Sequence, residues 1–334
     1  MYSGDLVLEG GCVTDVPGIS AGHYTDTSAA TGCTIVLCED GGVGGVDVRG
    51  AAPGTLETDM LRPMTLLPDV HGVMLCGGSL FGLQSAFGAV RFLEERGSGV
   101  EFAGTIVPRL AGAAVFDLNV GQDVRPGFEE GYAACVAAGT SPIDEGSLGA
   151  GTGASVAKVS GMEHAVKGGV GTASIPLGGG LMIGAVVVVN ALGGIVDPDT
   201  GRLMAGPRVG DKGAMVSAVD VMIASDEVVG KPSQGNTTIG VVATNATLTK
   251  EQANKLAAVA QDGIALAVRP AHTMGDGDTM FAIATGETQG GTHMDRLLAA
   301  VAVVTSRAIT SGVRTAVGLQ GLPAVSDLME AQHG

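Results

Sequence analysis

The chain contains no tryptophan, and aromatic residues make up only 3% of its 334 positions. A core with so few aromatic rings must be filled mainly by Val, Ala, Leu, Ile and Met side chains, which favours closely packed layers of helix and sheet. Hydrophobic residues reach 45%, enough for a sizeable core, and we expect residues 1–334 to form a single domain. The 56 glycines follow no collagen repeat, so they indicate many tight turns and close backbone approaches.

Basic charge is scarce, which excludes one class of partner. The 18 Lys and Arg residues stand against 34 Asp and Glu, so the net charge is −16. Such a chain repels phosphate backbones, and we expect no nucleic acid partner. The most apolar window, Gly178 to Val196, is rich in glycine, contains Asn190 and lacks basic flanks. It therefore predicts a buried strand, and no membrane partner is expected.

Patterns for metal binding, disulfide formation and secretion are also missing. The six histidines are scattered, without HxH or HxxxH spacing, so no metal and no cofactor are predicted. The five cysteines include no CxxC pair and lie in or beside apolar runs, which predicts buried, reduced thiols. The first residues show neither a basic start nor a long apolar run, so we expect no signal peptide. Together these features predict a cytoplasmic protein.

Apolar patterning predicts strands and helices that interleave without a regular βαβ alternation. Ser79 is a plausible N-cap, Thr247 or Thr249 another, and Gly97 a plausible C-terminal glycine. The mixed composition of 197–236 indicates a long excursion or linker. This order predicts an α+β or layered αββα body. Strands are predicted over 32–40, 71–78, 183–191, 237–244 and 279–285, and helices over 80–97, 127–139, 249–266 and 294–315.

Two short motifs suggest binding chemistry but are weakly specific. The stretch GAGTGAS, Gly149 to Ser155, loosely fits a dinucleotide-binding loop. However, a polar segment precedes it instead of an apolar strand, and no acidic residue follows at the required distance. The Asp276-Gly277-Asp278 sequence offers two ligands for Mg²⁺, but a lone pair of this kind is more often a turn. Neither motif predicts a function by itself.

The stretch QGNTTIGVV, from Gln234, places two threonines between a Gly-Asn turn and an apolar strand. A threonine hydroxyl is a poor nucleophile unless a base is adjacent, and an N-terminal threonine carries that base as its own amine. The amine has an ordinary pKa of about 7.7–8.0, near the working pH. An internal threonine becomes N-terminal when its hydroxyl attacks the preceding carbonyl and water releases the ester. The alternative interpretation is a surface turn that leads into a strand.

Several longer motifs carry a resemblance that covers nearly the whole chain. The sequence resembles the family of self-processing N-terminal nucleophile hydrolases that includes the DmpA-type L-aminopeptidase/D-esterases, the β-peptidyl aminopeptidases and the endo-type nylon-oligomer hydrolases. The GNTTI and DGD sequences most resemble the nylon-oligomer branch. The motifs are DVPGISAGHYTD, GGVDVRGAAPGTLETDML, CGGSLFGL, VKGGVGTAS, VVVNALGGIVDPDTG, GNTTIGVVATNA and HTMGDGDTMFAIATG.

The resemblance implies a fold, an activity and a way of activation. The fold is the α+β, layered αββα sandwich of the DmpA and ornithine acetyltransferase type. The activity is hydrolysis of a small peptide or amide, including D-, β- or aminohexanoate-type peptides, without a cofactor. Self-cleavage between Asn236 and Thr237 would divide the catalytic domain into chains 1–236 and 237–334. Relatives assemble as homotetramers of the processed pair, and the same is expected here.

The resemblance also implies roles for individual residues. Thr237 is the expected nucleophile, with Thr238 as the alternative. Asn190, at the end of an apolar strand, is expected to donate to the developing oxyanion. Asp276 and Asp278 are expected to orient the nucleophile and its amine. Lys158 is expected to lie near the nucleophile, where it would lower the pKa of the amine or polarise the scissile carbonyl.

Three questions stay open at this point. Lys167 competes with Lys158 for the role of the supporting lysine. Some relatives have a tyrosine where this chain has Phe116, and among its three tyrosines only Tyr132 is a plausible substitute. Two other functions remain alternatives, an acyltransferase of the ornithine acetyltransferase type and a binding scaffold without catalytic activity.

Overall fold

The computed structural model describes residues 10–210, 213–225, 235–288 and 293–333. Its strands are β1 Ser20–Asp26, β2 Thr31–Val48, β3 Thr55–Leu56, β4 Asp69–Cys76, β5 Val100–Phe102, β6 Thr105–Val107, β7 Leu110–Ala114, β8 Ser155–Val156, β9 Val166–Lys167, β10 Gly169–Gly178, β11 Leu181–Asn190, β12 Gly194–Val196, β13 Leu203–Ala205, β14 Arg208–Val209, β15 Ala214–Met215, β16 Thr237–Thr244, β17 Val268–Arg269 and β18 Thr279–Ala284. Its helices are α1 Ser79–Gly82, α2 Ser85–Glu95, α3 Phe128–Val136, α4 Ala218–Ala224, α5 Lys250–Ala267, α6 Met294–Arg314 and α7 Val325–His333.

A nine-stranded sheet links most of these strands, and β2 joins its two halves. The order is β10-β11-β16-β18-β2-β4-β7-β3, with β1 paired to β2. Strand β4 pairs with 33–37 of β2 and, after a register shift, with Gly42 and Val43, whereas β18 pairs with 43–48. A strand of 18 residues with such a shift can bend. The two halves of one hydrogen-bonded sheet can therefore pack against each other as two layers.

Apolar side chains alternate along these strands and fill three layers of core. In β18, Met280 and Ala282 pack with α5 and α6, whereas Phe281 and Ile283 face the strands of the other half. A third cluster lies between α2, α3 and the β2–β4–β7 half. The layers are thus helix, sheet, sheet and helix, and the predicted αββα sandwich is confirmed.

Several elements match the sequence prediction closely. Strand β16 covers the predicted 237–244, and α5 and α6 begin and end within one residue of their predicted ranges. Thr249 caps α5, because its side chain accepts a hydrogen bond from the backbone of Gln252. Helix α6 is long and apolar enough to cross a membrane, but 61% of its apolar window is buried inside the protein. Burial on the sheet accounts for that apolar character.

The predicted helix over 80–97 was wrong as a single element. It divides into α1 and α2, and Ser79 is the first residue of α1 rather than its N-cap. Ser79 has a φ of 54°, a left-handed conformation, and Gly78 occupies the N-cap position. Leu80 and Phe87, which belong to the apolar pattern of this segment, are 69% and 55% exposed. Gly97, with a φ of 67°, lies just beyond the end of α2 as predicted.

The predicted linker over 197–236 is also corrected. Its described part contains β13, β14, β15 and α4, and β13 pairs with β12. The remainder, 211–212 and 226–234, lies outside the described residues. Short strands of two or three residues carry too little periodicity to be recognised from sequence. All five cysteines are free and buried, so the prediction of buried, reduced thiols is confirmed.

Candidate active site

Three strand ends meet at one edge of the sheet. Strand β16 begins at Thr237 and pairs with β11 in the antiparallel sense, with Asn190 opposite Thr237. Strand β18 runs parallel to β16 and begins directly after Asp278. Because β16 and β18 start where β11 ends, their polar terminal residues come together. Each predicted site residue is buried: Asn190 0%, Lys158 0%, Thr237 5%, Asp276 2% and Asp278 2% exposed.

The peptide between Asn236 and Thr237 is held by two hydrogen-bond donors. The Thr237 hydroxyl donates to the Asn236 carbonyl, the group that it would attack. The Gly277 N–H donates to the same oxygen over 2.8 Å. A Cβ at Gly277 would lie 2.8 Å from Thr237 Oγ1 and 2.7 Å from the Ala52 carbonyl, so a glycine is needed for this approach. A nucleophilic hydroxyl therefore contacts a carbonyl that an amide already polarises.

Asn190 makes different contacts from those expected. Its Nδ2 donates to the carbonyls of Phe116, over 3.1 Å, and Gly235, over 3.3 Å. Its Oδ1 accepts from the Ser155 N–H, over 2.9 Å, and from Lys158 Nζ, over 3.0 Å. The Asn190 amide thus holds the carbonyl of Gly235, and the donor on the Asn236 oxygen is the Gly277 N–H.

The two candidate lysines have different contacts, and only Lys158 contacts residues beside Thr237. Lys158 Nζ donates to the Asn190 carbonyl, over 2.9 Å, and to the Gly235 carbonyl, over 3.2 Å. Burial lowers its pKa to about 7, against the opposing charges of Asp276 and Asp117. An amine with this pKa is partly neutral at neutral pH, where it can accept a proton. Lys158 is therefore a buried amine that contacts the carbonyl just before the Asn236–Thr237 peptide group.

Lys167 is buried elsewhere. Its Nζ donates to the carbonyls of Gly151, Ala154 and Gly168 over 2.8–2.9 Å. Burial also lowers its pKa to about 7. The first two acceptors belong to the GAGTGAS stretch, which begins with a turn of 3₁₀ helix, Gly149–Gly151, and wraps around this ammonium group. The glycine-rich stretch therefore has a structural role that explains it without a nucleotide.

The two carboxylates make unequal contacts. Asp278 Oδ1 accepts from the Thr238 N–H over 2.7 Å, and its Oδ2 accepts from the backbone N–H of His272 over 3.1 Å. Asp276 Oδ2 accepts from the Thr273 N–H over 2.7 Å, whereas its Oδ1 has no hydrogen-bond partner among the described residues. Burial, and then the charge of Asp278, raise the pKa of Asp276. Asp278 thus holds the start of β16, and Asp276 lies beside Asn236 in an isolated bridge.

Sequence reasoning missed His272, which lies six residues before Asp278. Its Nδ1 is 2.8 Å from Asp278 Oδ2. Burial opposes its charge, but the hydrogen bond and charge of Asp278 prevail and raise the pKa of His272. The HTMGDGD motif contains this histidine, but no periodicity or ligand spacing indicated that it contacts the aspartate. The Gly277 amide was missed for a similar reason, since a backbone donor leaves no side-chain signature.

The question of the missing tyrosine is settled by position. Tyr132 lies on α3 and donates to Glu95 of α2 over 2.7 Å, so it belongs to the contact between these helices. The suggestion that Tyr132 could substitute at the site was wrong. Phe116 does lie at the site, with its backbone carbonyl on Asn190 and its side chain against Gly235.

Over the described ranges, no three His, Cys, Asp or Glu side chains are grouped to hold a metal ion.

Comparisons with known proteins agree with this architecture. A model described as "Peptidase family S58" matches residues 11–325. An uncharacterized aminopeptidase of Mycobacterium leprae is 44% identical over 300 residues, which cover 85% of this chain and 81% of that protein. A 6-aminohexanoate-oligomer endohydrolase of a Kocuria species is 31% identical over 278 residues, covering 82% and 74%.

A solved structure is similar over almost the whole chain. It is the L-aminopeptidase D-Ala-esterase/amidase of Ochrobactrum anthropi, described as a variant of the Ntn hydrolase fold. The TM-score is 0.69 and the sequence identity 19%, with 96% of this chain and 93% of that chain covered. At this identity the similarity shows the fold, and the fold agrees with the layers described above.

Proposed function

Because the chain belongs to peptidase family S58 and is a hydrolase of amide bonds, we propose that it activates itself by cutting between Asn236 and Thr237. The observation that carries this proposal is the contact of the Thr237 hydroxyl with the Asn236 carbonyl, which the Gly277 N–H also contacts. The N-terminal threonine produced by the cut is the proposed nucleophile for substrates.

The self-cleavage is an acyl shift followed by hydrolysis. Thr237 Oγ attacks the Asn236 carbonyl carbon, and the hydroxyl proton passes to the neutral amine of Lys158. The Gly277 N–H stabilises the oxyanion. The C–N bond then breaks, the Thr237 nitrogen takes the proton from Lys158, and Asn236 is left as an ester on Oγ. Water hydrolyses the ester, which yields a carboxylate at Asn236 and a free hydroxyl and amine at Thr237.

Turnover repeats the attack and the ester hydrolysis on the amide of a substrate. The new amine of Thr237 accepts the proton from its own hydroxyl while Oγ attacks the substrate carbonyl. The departing amine of the substrate takes that proton, and water then releases the acyl group. Asp278 holds the Thr238 N–H and thereby restricts the direction of Thr237. Asp276, which pairs with Asn236 in an isolated bridge, has one buried oxygen without a hydrogen-bond partner among the described residues. No step requires a metal or another cofactor.

The proposed substrates are small peptides or other amides, including D-, β- or aminohexanoate-type peptides. The relatives support this range, since one is named an aminopeptidase and another a 6-aminohexanoate-oligomer endohydrolase. These names favour a hydrolase over the acyltransferase alternative and over a non-catalytic scaffold. We also propose that the processed pairs assemble as a homotetramer. We further propose that the protein is cytoplasmic, which its free, buried cysteines support.

Two neighbouring threonines provide a matched test of the nucleophile. Thr237→Ala removes the attacking hydroxyl, and we expect an uncut, folded chain without amide hydrolysis. Thr238→Val removes a buried hydroxyl that has no hydrogen-bond partner among the described residues, and processing should continue. A denaturing gel and release of a chromogenic amine measure both properties. Cleavage or turnover by Thr237→Ala, or loss of both in Thr238→Val alone, would contradict the assignment of Thr237.

A further inference from the structure

Asp117 is a buried carboxylate that directly follows Phe116 and takes no part in the steps described above. It is 2% exposed. Its Oδ1 accepts from the Gly78 N–H over 2.6 Å, and its Oδ2 accepts from the Thr31 hydroxyl over 2.7 Å. One donor thus comes from the loop between β4 and α1, and the other from the first residue of β2. Short hydrogen bonds to both oxygens hold the carboxylate in one direction.

Two glycine-rich motifs surround this carboxylate. A Cβ at Gly153, in the GAGTGAS stretch, would lie 2.7 Å from Asp117 Cβ. A Cβ at Gly77, in the CGGSLFGL motif, would overlap with Asp117 Oδ2. Burial raises the pKa of Asp117, and its two hydrogen bonds and the charge of Lys167 oppose this rise. Both motifs therefore leave space for the same buried acidic group.

A short chain of contacts connects Asp117 to the candidate site. The preceding residue, Phe116, places its carbonyl oxygen 3.1 Å from Asn190 Nδ2. Asn190 in turn accepts from Lys158 Nζ through its carbonyl and its Oδ1, over 2.9 and 3.0 Å. Both side chains donate to the Gly235 carbonyl. Because Asp117 and Phe116 share a peptide group, holding the carboxylate also holds the carbonyl that orients the Asn190 amide.

Asp117 also belongs to the charged surroundings of Lys158. Burial lowers the pKa of Lys158 to about 7, and the negative charges of Asp276 and then Asp117 oppose this lowering. Both carboxylates are buried. Helix α4 and the turn Met162–His164 pack against the segment that carries Lys158, and their titratable side chains are exposed or half-buried: Asp220, Glu163 and His164. Two buried carboxylates therefore act on this amine.

We propose that Asp117 is a positioning residue for self-cleavage, which fixes the Phe116 carbonyl against Asn190 and supplies negative charge to Lys158. This role rests on the proposed function, because it acts on the groups around the Asn236–Thr237 peptide. The charge of Asp117 makes Lys158 keep its proton to a higher pH, so without it the neutral amine would prevail at a lower pH. A carboxylate that only stabilised the fold would change the amount of active protein and not its pH dependence.

The variant Asp117→Asn keeps the shape of the side chain and removes its charge. Cleavage of refolded precursor is measured at about pH 6 and about pH 8, and the readout is the ratio of the first rate to the second. This ratio should be about threefold larger in Asp117→Asn than in wild type, because Lys158 loses its proton at a lower pH. Asp123→Asn, which removes a carboxylate that is 79% exposed, should keep the wild-type ratio. An unchanged or smaller ratio in Asp117→Asn overturns the proposal.

The variant Thr31→Val weakens the hold on the carboxylate and leaves its charge. We expect cleavage to be slower by about tenfold at both pH values, with the wild-type ratio, because the Asn190 amide is less well placed. Wild-type speed in Thr31→Val overturns the positioning role, and this variant decides the question if Asp117→Asn does not fold. A wild-type chain that stays uncut, or whose rate does not rise with pH, overturns the proposed mechanism and this inference together. A rising wild-type profile that Asp117→Asn leaves unchanged overturns only the role of Asp117.

Discussion

Neighbouring residues of the same type at the start of β16 differ in what their side chains contact. The Thr237 hydroxyl contacts the Asn236 carbonyl, whereas the Thr238 hydroxyl is buried without a hydrogen-bond partner in the described part of the chain. Thr238 instead uses its backbone N–H, which Asp278 accepts. In the proposed mechanism, Thr237 is thus the nucleophile and Thr238 helps to position it. A carboxylate that holds a backbone N–H next to the nucleophile restricts the direction from which the hydroxyl approaches.

The pH dependence of self-cleavage tests the role of Lys158. Burial lowers its pKa to about 7, so its neutral form becomes the main one as pH rises above that value. If the neutral amine takes the hydroxyl proton, the cleavage rate should rise between about pH 6 and 8 and then level off. Denatured precursor can be refolded at a series of pH values and its cleavage followed on gels.

The control is Lys158→Met, which fills similar space without a base. We expect slow cleavage that no longer rises through pH 7. A wild-type rate that falls across this window, or the same rising profile in Lys158→Met, would assign the proton transfer to another group. Lys167 has a similarly lowered pKa but contacts other carbonyls. Retention of the rising profile in Lys167→Met would therefore separate the two buried lysines.

At the scale of elements, the site depends on how the segment between β17 and β18 is fixed. His272 has a φ of 58°, and both its backbone N–H and its imidazole contact Asp278. The imidazole also lies 3.4 Å from the Gln261 carbonyl of α5. This histidine therefore connects the segment to a helix of the outer layer. We interpret it as a positioning residue for Asp278.

The variant His272→Asn tests this connection, because asparagine tolerates a left-handed conformation. The pKa of His272 is raised in the folded protein, so its ion pair stabilises the fold fully below the ordinary pKa of about 6.5 and is lost as pH rises through the folded value. The Tm difference between wild type and variant should be largest below about pH 6.5 and shrink above it. A difference that grows with pH would exclude the ion pair.

Long, strongly patterned elements were predictable from sequence, whereas the glycine-rich second half of β2 was not. β16, α5 and α6 carry continuous apolar runs or helical periodicity and were placed within one residue. β2 was predicted only over 32–40, because Gly41, Gly42, Gly44 and Gly45 resemble a break. A Cβ at Gly45 would lie 2.3 Å from the backbone of Ala253 in α5. This glycine permits a helix to approach a strand, and only the tertiary contact shows that.

In the candidate site, too, some features were predictable from sequence and others depend on tertiary contacts. Side chains at strand ends, such as Thr237 and Asn190, could be proposed from the apolar runs beside them and from the family motifs. The Gly277 amide and the Asp278–His272 contact could not, because they depend on how a turn places backbone and side chains in space. Asn190 was identified as a site residue, but the carbonyls that its amide contacts were not. Its place at a strand end predicts where the residue lies and not where its side chain points.

At the scale of the whole molecule, the proposed cleavage would break the chain at the start of a central strand, and both products would remain in the same sheet. β16 lies between β11 and β18 and is buried along its whole length. The two products, 1–236 and 237–334, would share this sheet and the core beneath α5 and α6. Backbone hydrogen bonds on both sides of β16 should therefore hold the pair together after cleavage.

Assembly is a separate prediction at this scale. We expect four processed pairs to associate, and apolar side chains such as Phe87 and Phe102 are exposed on the surface of the single chain. Light scattering at micromolar concentration should give the mass of a tetramer. The mass of a single processed pair under these conditions would contradict the prediction and leave the proposed chemistry untouched.

The central claim concerns one bond, and determination of the new N-terminus tests it most directly. Purified wild-type protein should give two chains by intact mass, matching 1–236 and 237–334, that elute together under native conditions. N-terminal sequencing of the smaller chain should read Thr-Thr-Ile-Gly, starting at Thr237. A single uncut mass in active protein, or a smaller chain that starts at Thr238 or any other residue, would contradict the account.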